Sequence, residues 1–390
     1  MASVQELSQI EHVLATSGYE CVLATLVSVN GSSYRRPGAR MLIGPNRTVA
    51  GGITAGCLEE DIRQSAFEWT RAGPCVRDFQ IGSAEDDLLG WGSGCKGTLR
   101  VLLQRVAPMD SMLAKLTRAL ERRQTCISAT VFDSDPRLNL PMGTRFLLLE
   151  DTVLADADAA WLQDMLISEA RHLPPDTAPC SIHYSTARGT FALFWEIVRP
   201  AIQLCVFGSG EGVAPLLGCA RNLGWKTILC NQRTEMYNRQ CGLHADRIFE
   251  AFPGEFPAEV SGDDRAAAVV MTHRFNDDLA IVSSLLLSDI PFVGVLGGRI
   301  RNQKLRSELL ETVAPRHFKK LFAPVGLDLG AADSTEIALA IAGEVLAFMN
   351  GRVPGHLADR QESIHAPFQN EHRNARTNVS PEPAACLSAP

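Results

Sequence analysis

No C-x-x-C pair occurs in this 390-residue chain, although it holds eleven cysteines. Their number is odd and they are scattered, which argues against a disulfide framework and against a zinc or iron–sulfur site built on cysteines. Such thiols fit a reducing cytoplasm, and most should pack as small core residues. No stretch reaches about 18 uninterrupted apolar residues, so no membrane span is expected. The opening MASVQELSQIEHVLA has neither a basic flank nor a long apolar run, so no signal peptide is expected. Excess positive charge is missing too. The formal net charge is -7, which favours solubility and argues against a nucleic-acid partner.

What is present can build real cores. The chain is 46% hydrophobic and 21% charged, and its length suits two or three domains. From about residue 200, strand and helix patterns alternate. Gln203–Phe207 reads as a buried strand, GSGEG as a turn, and VAPLLGCARNLG as a helix ending at Gly224. KTILC, Ala266–Met271, a helix over Asp277–Leu287 and Phe292–Leu296 continue the series. That order predicts a parallel, doubly wound sheet. A last helix starts at a Ser or Asp cap before STEIALAIAGEVLAFM and stops at Gly351. Beyond about His365 the chain turns polar and aperiodic, and 366–390 reads as a disordered tail.

The first half carries an internal repeat. ECVLATLVSV (Glu20–Val29) aligns with TCISATVFDS (Thr125–Ser134) at an offset of 105, and GARMLI aligns with GTRFLL at the same offset. A helical stretch precedes each copy. The expected fold class is therefore α/β: an N-terminal α/β domain over 1–198 with repeat units at about 4–106 and 109–198, then a Rossmann-like doubly wound domain over 199–365. Residues common to both copies, Gly38/Gly143 and Arg40/Arg145 among them, should serve the fold. Features of one copy are candidates for chemistry.

Two such features stand in the first copy. AGGITAGCLEEDI runs glycines into Cys57, and Leu58, Ile62, Ala66 and Trp69 mark one apolar face of a helix starting there. Helix amides and dipole would favour a thiolate at Cys57, whereas Glu59, Glu60 and Asp61 would oppose it. On this alone a packed corner and a working thiol stand level. GSSYRRPGAR offers Ser32, Ser33, Arg35 and Arg36 in a loop suited to phosphate, or to solvent. LGWGSGCKGTL places Cys95 in a second glycine turn. In the second half Gly208 and Gly210 match a dinucleotide fingerprint, but Val213 stands at the third glycine position and Asn231 where an acid is expected, so NAD(P) binding is not expected. His273 and Arg299 fall at the carboxyl ends of later strands, where such sheets bind ligands.

Together GSSYRRPGARMLIG, GGITAGCLEEDI, GSGCKGTLRVLL, FWEIVRPAIQLCVFGSGEGVAPLLGCARNLGWK, MTHRFNDDLAIVSSLL, FVGVLGGRIR and PVGLDLGAADSTEIALAIAGEVLA resemble the xanthine dehydrogenase accessory factor family (XdhC/CoxI), in its long form, across nearly everything up to about residue 365. The resemblance implies a cytoplasmic maturation chaperone, not an enzyme. It implies molybdenum cofactor (molybdopterin) as cargo, a cysteine desulfurase as sulfur source, and an apo molybdenum hydroxylase as recipient. A second copy of this chain is a further candidate partner. Carried over residue by residue, the family's two cysteine motifs fall at Cys57, which is also the candidate molybdenum ligand, and at Cys95, where Lys96 replaces a glycine. Arg40 closes the cofactor set, although its match with Arg145 points to the scaffold. Asn231 and Gly298 depart from the family's aspartate and serine, which leaves the nucleotide side of the Rossmann domain open. The rivals are an NAD(P)-dependent oxidoreductase and a cofactor-free docking scaffold.

Overall fold

The computed structural model describes residues 4–361, without 32, 48, 55–56, 82–96, 151, 176, 254, 256–259 and 261, and without the side chains of Val49, Cys57 and Ile81. The tail expected to be disordered lies outside the described residues. The chain divides into two compact units, one ending at Pro200 and one starting at Ala201.

The first unit is two copies of one plan. Copy one runs α1 (Val4–Ser17), β1 (Cys21–Gly31), β2 (Arg40–Ile43), β3 (Val49–Gly51), α2 (Cys57–Trp69), β4 (Cys75–Ile81) and β5 (Gly97–Val106). Copy two runs α3 (Ser111–Glu121), β6 (Cys126–Ser134), β7 (Arg145–Leu149), β8 (Thr152–Ala155), α4 (Gln163–His172), β9 (Cys180–Thr186) and β10 (Gly189–Val198). The sheets have the same strand order, β3-β2-β1-β5-β4 and β8-β7-β6-β10-β9. Their registers correspond at the sequence offset. Val22 faces Ile43 and Thr25 faces Arg40, as Ile127 faces Leu148 and Thr130 faces Arg145. The bulge recurs as well, skipping Val27 in β1 and Phe132 in β6. These two residues pack in one cluster with Leu102, Ala192 and Phe194, so the copies join where their strands are kinked.

Strand β1 is buried for its first seven residues because both of its faces are covered. On one side Ala24, Leu26, Met41 and Val101 pack against Ile62 and Ala66 of α2. On the other, Cys21, Leu23 and Leu42 meet Ile10 and Leu14 of α1. Leu7, one turn earlier, joins Met112, Leu116 and Leu147 of the second copy. The i, i+3, i+7 spacing of Leu7, Ile10 and Leu14 thus makes α1 a bridge between copies. Between the sheets, Thr25, Thr130, Gln104 and Ser128 line a cavity with Arg40 and Arg145.

Both arginines hold the scaffold. Arg40 donates to Glu196 of β10 at 2.6 and 3.3 Å and to the Gly38 carbonyl at 3.2 Å. The side chains are 7% and 1% exposed. Arg145 pairs with Asp110 and Asp156, both at 2.7 Å. Asp110 also caps α3 by accepting from the Leu113 amide, so one carboxylate fixes a helix start and an ion pair.

The second unit is β11 (Gln203–Gly208), α5 (Val213–Asn222), β12 (Lys226–Asn231), α6 (Glu235–Gln240), β13 (Arg247–Glu250), β14 (Ala266–Met271), α7 (Phe275–Leu287), β15 (Phe292–Val295), α8 (Arg299–Leu309), β16 (Leu321–Phe322) and α9 (Ser334–Met349). All strands are parallel, in the order β13-β12-β11-β14-β15-β16. Strand order reverses between β11 and β14, the crevice where such sheets take ligands. Leu204 and Val206 pack under α5 and α9, while Cys205 and Phe207 pack under α7 and the rest of the other layer. Asp333 caps α9 in a full capping box with Glu336. Helix α7 starts at Phe275, two residues ahead of the expected start. Asp277 and Asp278 therefore occupy its first turn, where their charge suits the dipole.

Inside α5, Gly218 has nothing within 4 Å of the place its Cβ would take. Gly218→Ala should therefore raise the stability of this unit by about 0.5–1 kcal/mol, read from denaturant midpoints. A loss would show that the helix surface there is closed.

Candidate functional site

Helix α2 begins at Cys57, and the glycine run before it leaves β3 through a hydrogen bond from the Gly52 amide to the Arg40 carbonyl at 2.8 Å. The turn is then held from the helix side. One oxygen of Glu59 accepts from the amides of Ile53 and Thr54 at 2.8 and 2.7 Å. Glu60 looks the other way, bonded to Gln64 at 2.9 Å and paired with Arg63 at 3.0 Å. The Gln64 hydrogen bond is the main reason its carboxyl is held below the usual range.

The basic loop is anchored beside this turn. Arg35 donates to both oxygens of Glu6 on α1, at 2.8 and 2.7 Å. A Cβ at Gly51, the last residue of β3, would lie 3.2 Å from Glu6 Oε1, so the carboxylate that holds the basic loop also lies beside the end of β3. Arg35 would have to exchange Glu6 to meet a phosphate. Arg36 closes the loop through its carbonyl, which accepts from Ala39 at 3.1 Å. The hydroxyl oxygens of Ser33 and Thr54 are buried and have no hydrogen-bond partner among the described residues. Ser32, Cys95 and the Cys57 side chain lie outside the described residues. Arg40 is engaged with Glu196, the scaffold duty its match with Arg145 implies. Sequence reasoning missed Glu6 and took Glu59 only as one of three acids opposing a thiolate at Cys57. Glu6 carries no local signal, since its partner is 29 residues away.

Burial pushes the Cys126 and Cys230 thiols up to about 12, and it raises those of Cys21, Cys75, Cys180 and Cys219 as well. Cys241 is exposed. Brief iodoacetamide treatment at neutral pH should leave Cys126 and Cys230 unlabelled and modify Cys241, as peptide mass mapping would show. Rapid labelling of Cys126 would mean that the packing between the copies opens readily. Among the described residues no group of three or more His, Cys, Asp and Glu is arranged to hold a metal ion.

In the second unit the structure brings His273 onto Gly210. The imidazole Nε2 abuts the place where a Cβ on Gly210 would stand, and His273 adopts φ 62. Asn231 is fully engaged. It donates to the Gly208 carbonyl and to Asn238 at 3.0 Å each, and it accepts from the Arg233 amide at 2.9 Å and from Asn238 at 3.0 Å. This amide staples the glycine turn to α6 and is not turned out to grip a ribose. Arg299 starts α8 at the surface. The neighbouring Arg301 pairs instead with the buried Asp278 at 2.6 Å, which also accepts from Thr272.

Two family models match the chain. The XdhC Rossmann domain covers residues 204–345, and the XdhC and CoxI family covers residues 14–80. A Bacillus subtilis protein described as a probable xanthine dehydrogenase subunit is 28% identical over 330 residues, 84% of this chain and 92% of that protein. The molybdenum cofactor insertion chaperone PaoD of Escherichia coli is 22% identical over 341 residues, 84% and 83% of the two chains. A crystal structure described as a xanthine dehydrogenase from Bacillus halodurans superposes with a TM-score of 0.71 at 27% identity, covering 92% of this chain and 98% of that one.

Proposed function

The chain belongs to the XdhC/CoxI family of xanthine dehydrogenase accessory factors, and on that premise we propose that it is a maturation chaperone carrying molybdenum cofactor to an apo molybdenum hydroxylase. One observation carries the residue-level reading. Glu6 holds Arg35 of the basic loop with its carboxylate beside Gly51, where β3 ends ahead of the turn into Cys57, and it does so in the first copy, the one with the unmatched loops. The cargo has a soft dithiolene-bound metal at one end and a phosphate at the other. A thiol suits the first, while buried hydroxyls and an arginine suit the second. In this reading Ser33 and Thr54 meet the phosphate end, Arg35 joins by leaving Glu6, and Cys57 with Cys95 faces the metal end. Sulfuration by a cysteine desulfurase would occur on cargo held there. The chain itself performs no redox turnover, and it works in the cytoplasm. No helix among the described residues is long and apolar enough to cross a membrane.

Asn231, held by four hydrogen bonds, and His273 seated on Gly210 support a Rossmann unit that does not hold NAD(P) as a coenzyme. Calorimetric titration should give no micromolar dissociation constant for either nucleotide. Such a constant, abolished by Gly210→Val, would favour the oxidoreductase alternative.

Cys57→Ala should leave the melting temperature within a few degrees of wild type and lower the molybdenum and pterin that co-purify at least fivefold. Truncating a packed thiol costs only about 1 kcal/mol, so a large stability loss is not expected. Elemental analysis with mass spectrometry of the released pterin makes the measurement. Unchanged cargo with a collapsed melting temperature would make Cys57 structural.

A further inference from the structure

We propose that Glu59 is the positioning residue of the cysteine turn: its carboxylate fixes the backbone from Gly52 to Thr54, so that α2, and Cys57 at its head, are presented to the cargo in one geometry. This rests on the reading of Cys57 as a cargo residue. An acid in a first helical turn ordinarily acts on the amides of its own helix. Glu59 folds back past the helix start to amides five and six residues earlier, at 2.7 and 2.8 Å. Two charge-assisted hydrogen bonds to one oxygen hold a backbone more firmly than neutral ones would.

The sequence around the turn is shaped to admit the carboxylate. A Cβ on Gly52 would lie 3.0 Å from Glu59 Oε1, so a side chain there would crowd the acid. That assigns one glycine of the run a purpose beyond turning the chain. The neighbouring acid, Glu60, is engaged along the helix and leaves the loop to Glu59. Copy two has neither part of the device. The offset places Asp164 opposite Glu59, and ADADAA stands where the glycine run would be. The clamp therefore occurs with the candidate chemistry and is missing from the copy without it. It also takes two loop amides out of use as anion donors.

The test uses full-length Glu59→Ala, Glu59→Gln, Glu60→Ala and Cys57→Ala. Hydrogen–deuterium exchange follows the peptide spanning 50–58. Molybdenum and pterin are counted per folded chain. In Glu59→Ala, exchange at that peptide should rise tenfold or more and cargo should fall at least fivefold. Glu60→Ala should match wild type. Glu59→Gln keeps a carbonyl acceptor for the two amides and should retain most of the cargo and of the exchange protection. Wild-type cargo in Glu59→Ala, or cargo as low in Glu59→Gln as in Glu59→Ala, overturns the proposal. If Cys57→Ala loses cargo and Glu59→Ala keeps it, only the role of Glu59 falls. If Cys57→Ala keeps its cargo, the reading of the site falls and takes the proposal with it.

Discussion

Glu196→Leu should cost the N-terminal unit about 3–5 kcal/mol, because it leaves the Arg40 guanidinium buried without its counter-charge. Arg40 and Glu196 are 7% and 1% exposed, and they are separated by 156 residues. Their bond runs from β2 of one copy to β10 of the other, so its loss loosens the junction between copies. The pair itself is not a large net source of stability, since taking both charges out of water offsets much of their attraction. Arg40→Met with Glu196→Leu should therefore recover most of the loss. Urea unfolding followed with probes in each unit would separate the two transitions. A single-variant cost below about 1 kcal/mol would mean that water reaches the pair.

Gly208→Ala should be the most damaging single methyl group in the second unit. Gly208 ends β11 at φ 147, a conformation that L side chains rarely adopt. Its Cβ would stand 2.5 Å from the Met271 carbonyl oxygen and 2.8 Å from the carbonyl carbon, both backbone atoms of the adjacent β14. A side chain there strains the turn and pushes β11 and β14 apart at the crevice between them. Strain and overpacking together should cost about 3 kcal/mol. The denaturation midpoint of this unit reports it, with Gly218→Ala as the control of opposite sign. A variant as stable as wild type would mean that the two strand ends separate freely.

Much of this architecture is legible in the sequence, for physical reasons that differ by region. The duplication shows because matched residues such as Thr25/Thr130 and Arg40/Arg145 occupy equivalent register positions, and register tolerates no slip where both faces are buried. The Rossmann unit shows because its strands are short apolar runs and its glycine turn follows the first of them. The start of α2 at Cys57 follows from the apolar spacing of Leu58, Ile62, Ala66 and Trp69.

The side-chain wiring of the site is not legible. Arg35 looks like a solvated or phosphate-seeking cation until Glu6 is seen against it, and nothing local announces a partner on the first helix. The spacing of Glu59 cannot say whether its carboxylate faces water or folds back into the turn. Asn231 is legible as a missing acid, but its role as a staple depends on Asn238 and the Gly208 carbonyl meeting it in space. Long-range pairs of this kind are set by topology, and periodicity carries no trace of them.

The central claim is that this chain delivers molybdenum cofactor to a client. The most direct measurement is the molybdenum content of a xanthine-dehydrogenase-type hydroxylase produced in cells with this chain, without it, and with its Cys57→Ala variant. The account predicts near-full occupancy with the wild-type chain, and a fall of at least fivefold both without it and with the variant. Equal molybdenum occupancy in all three preparations would contradict it.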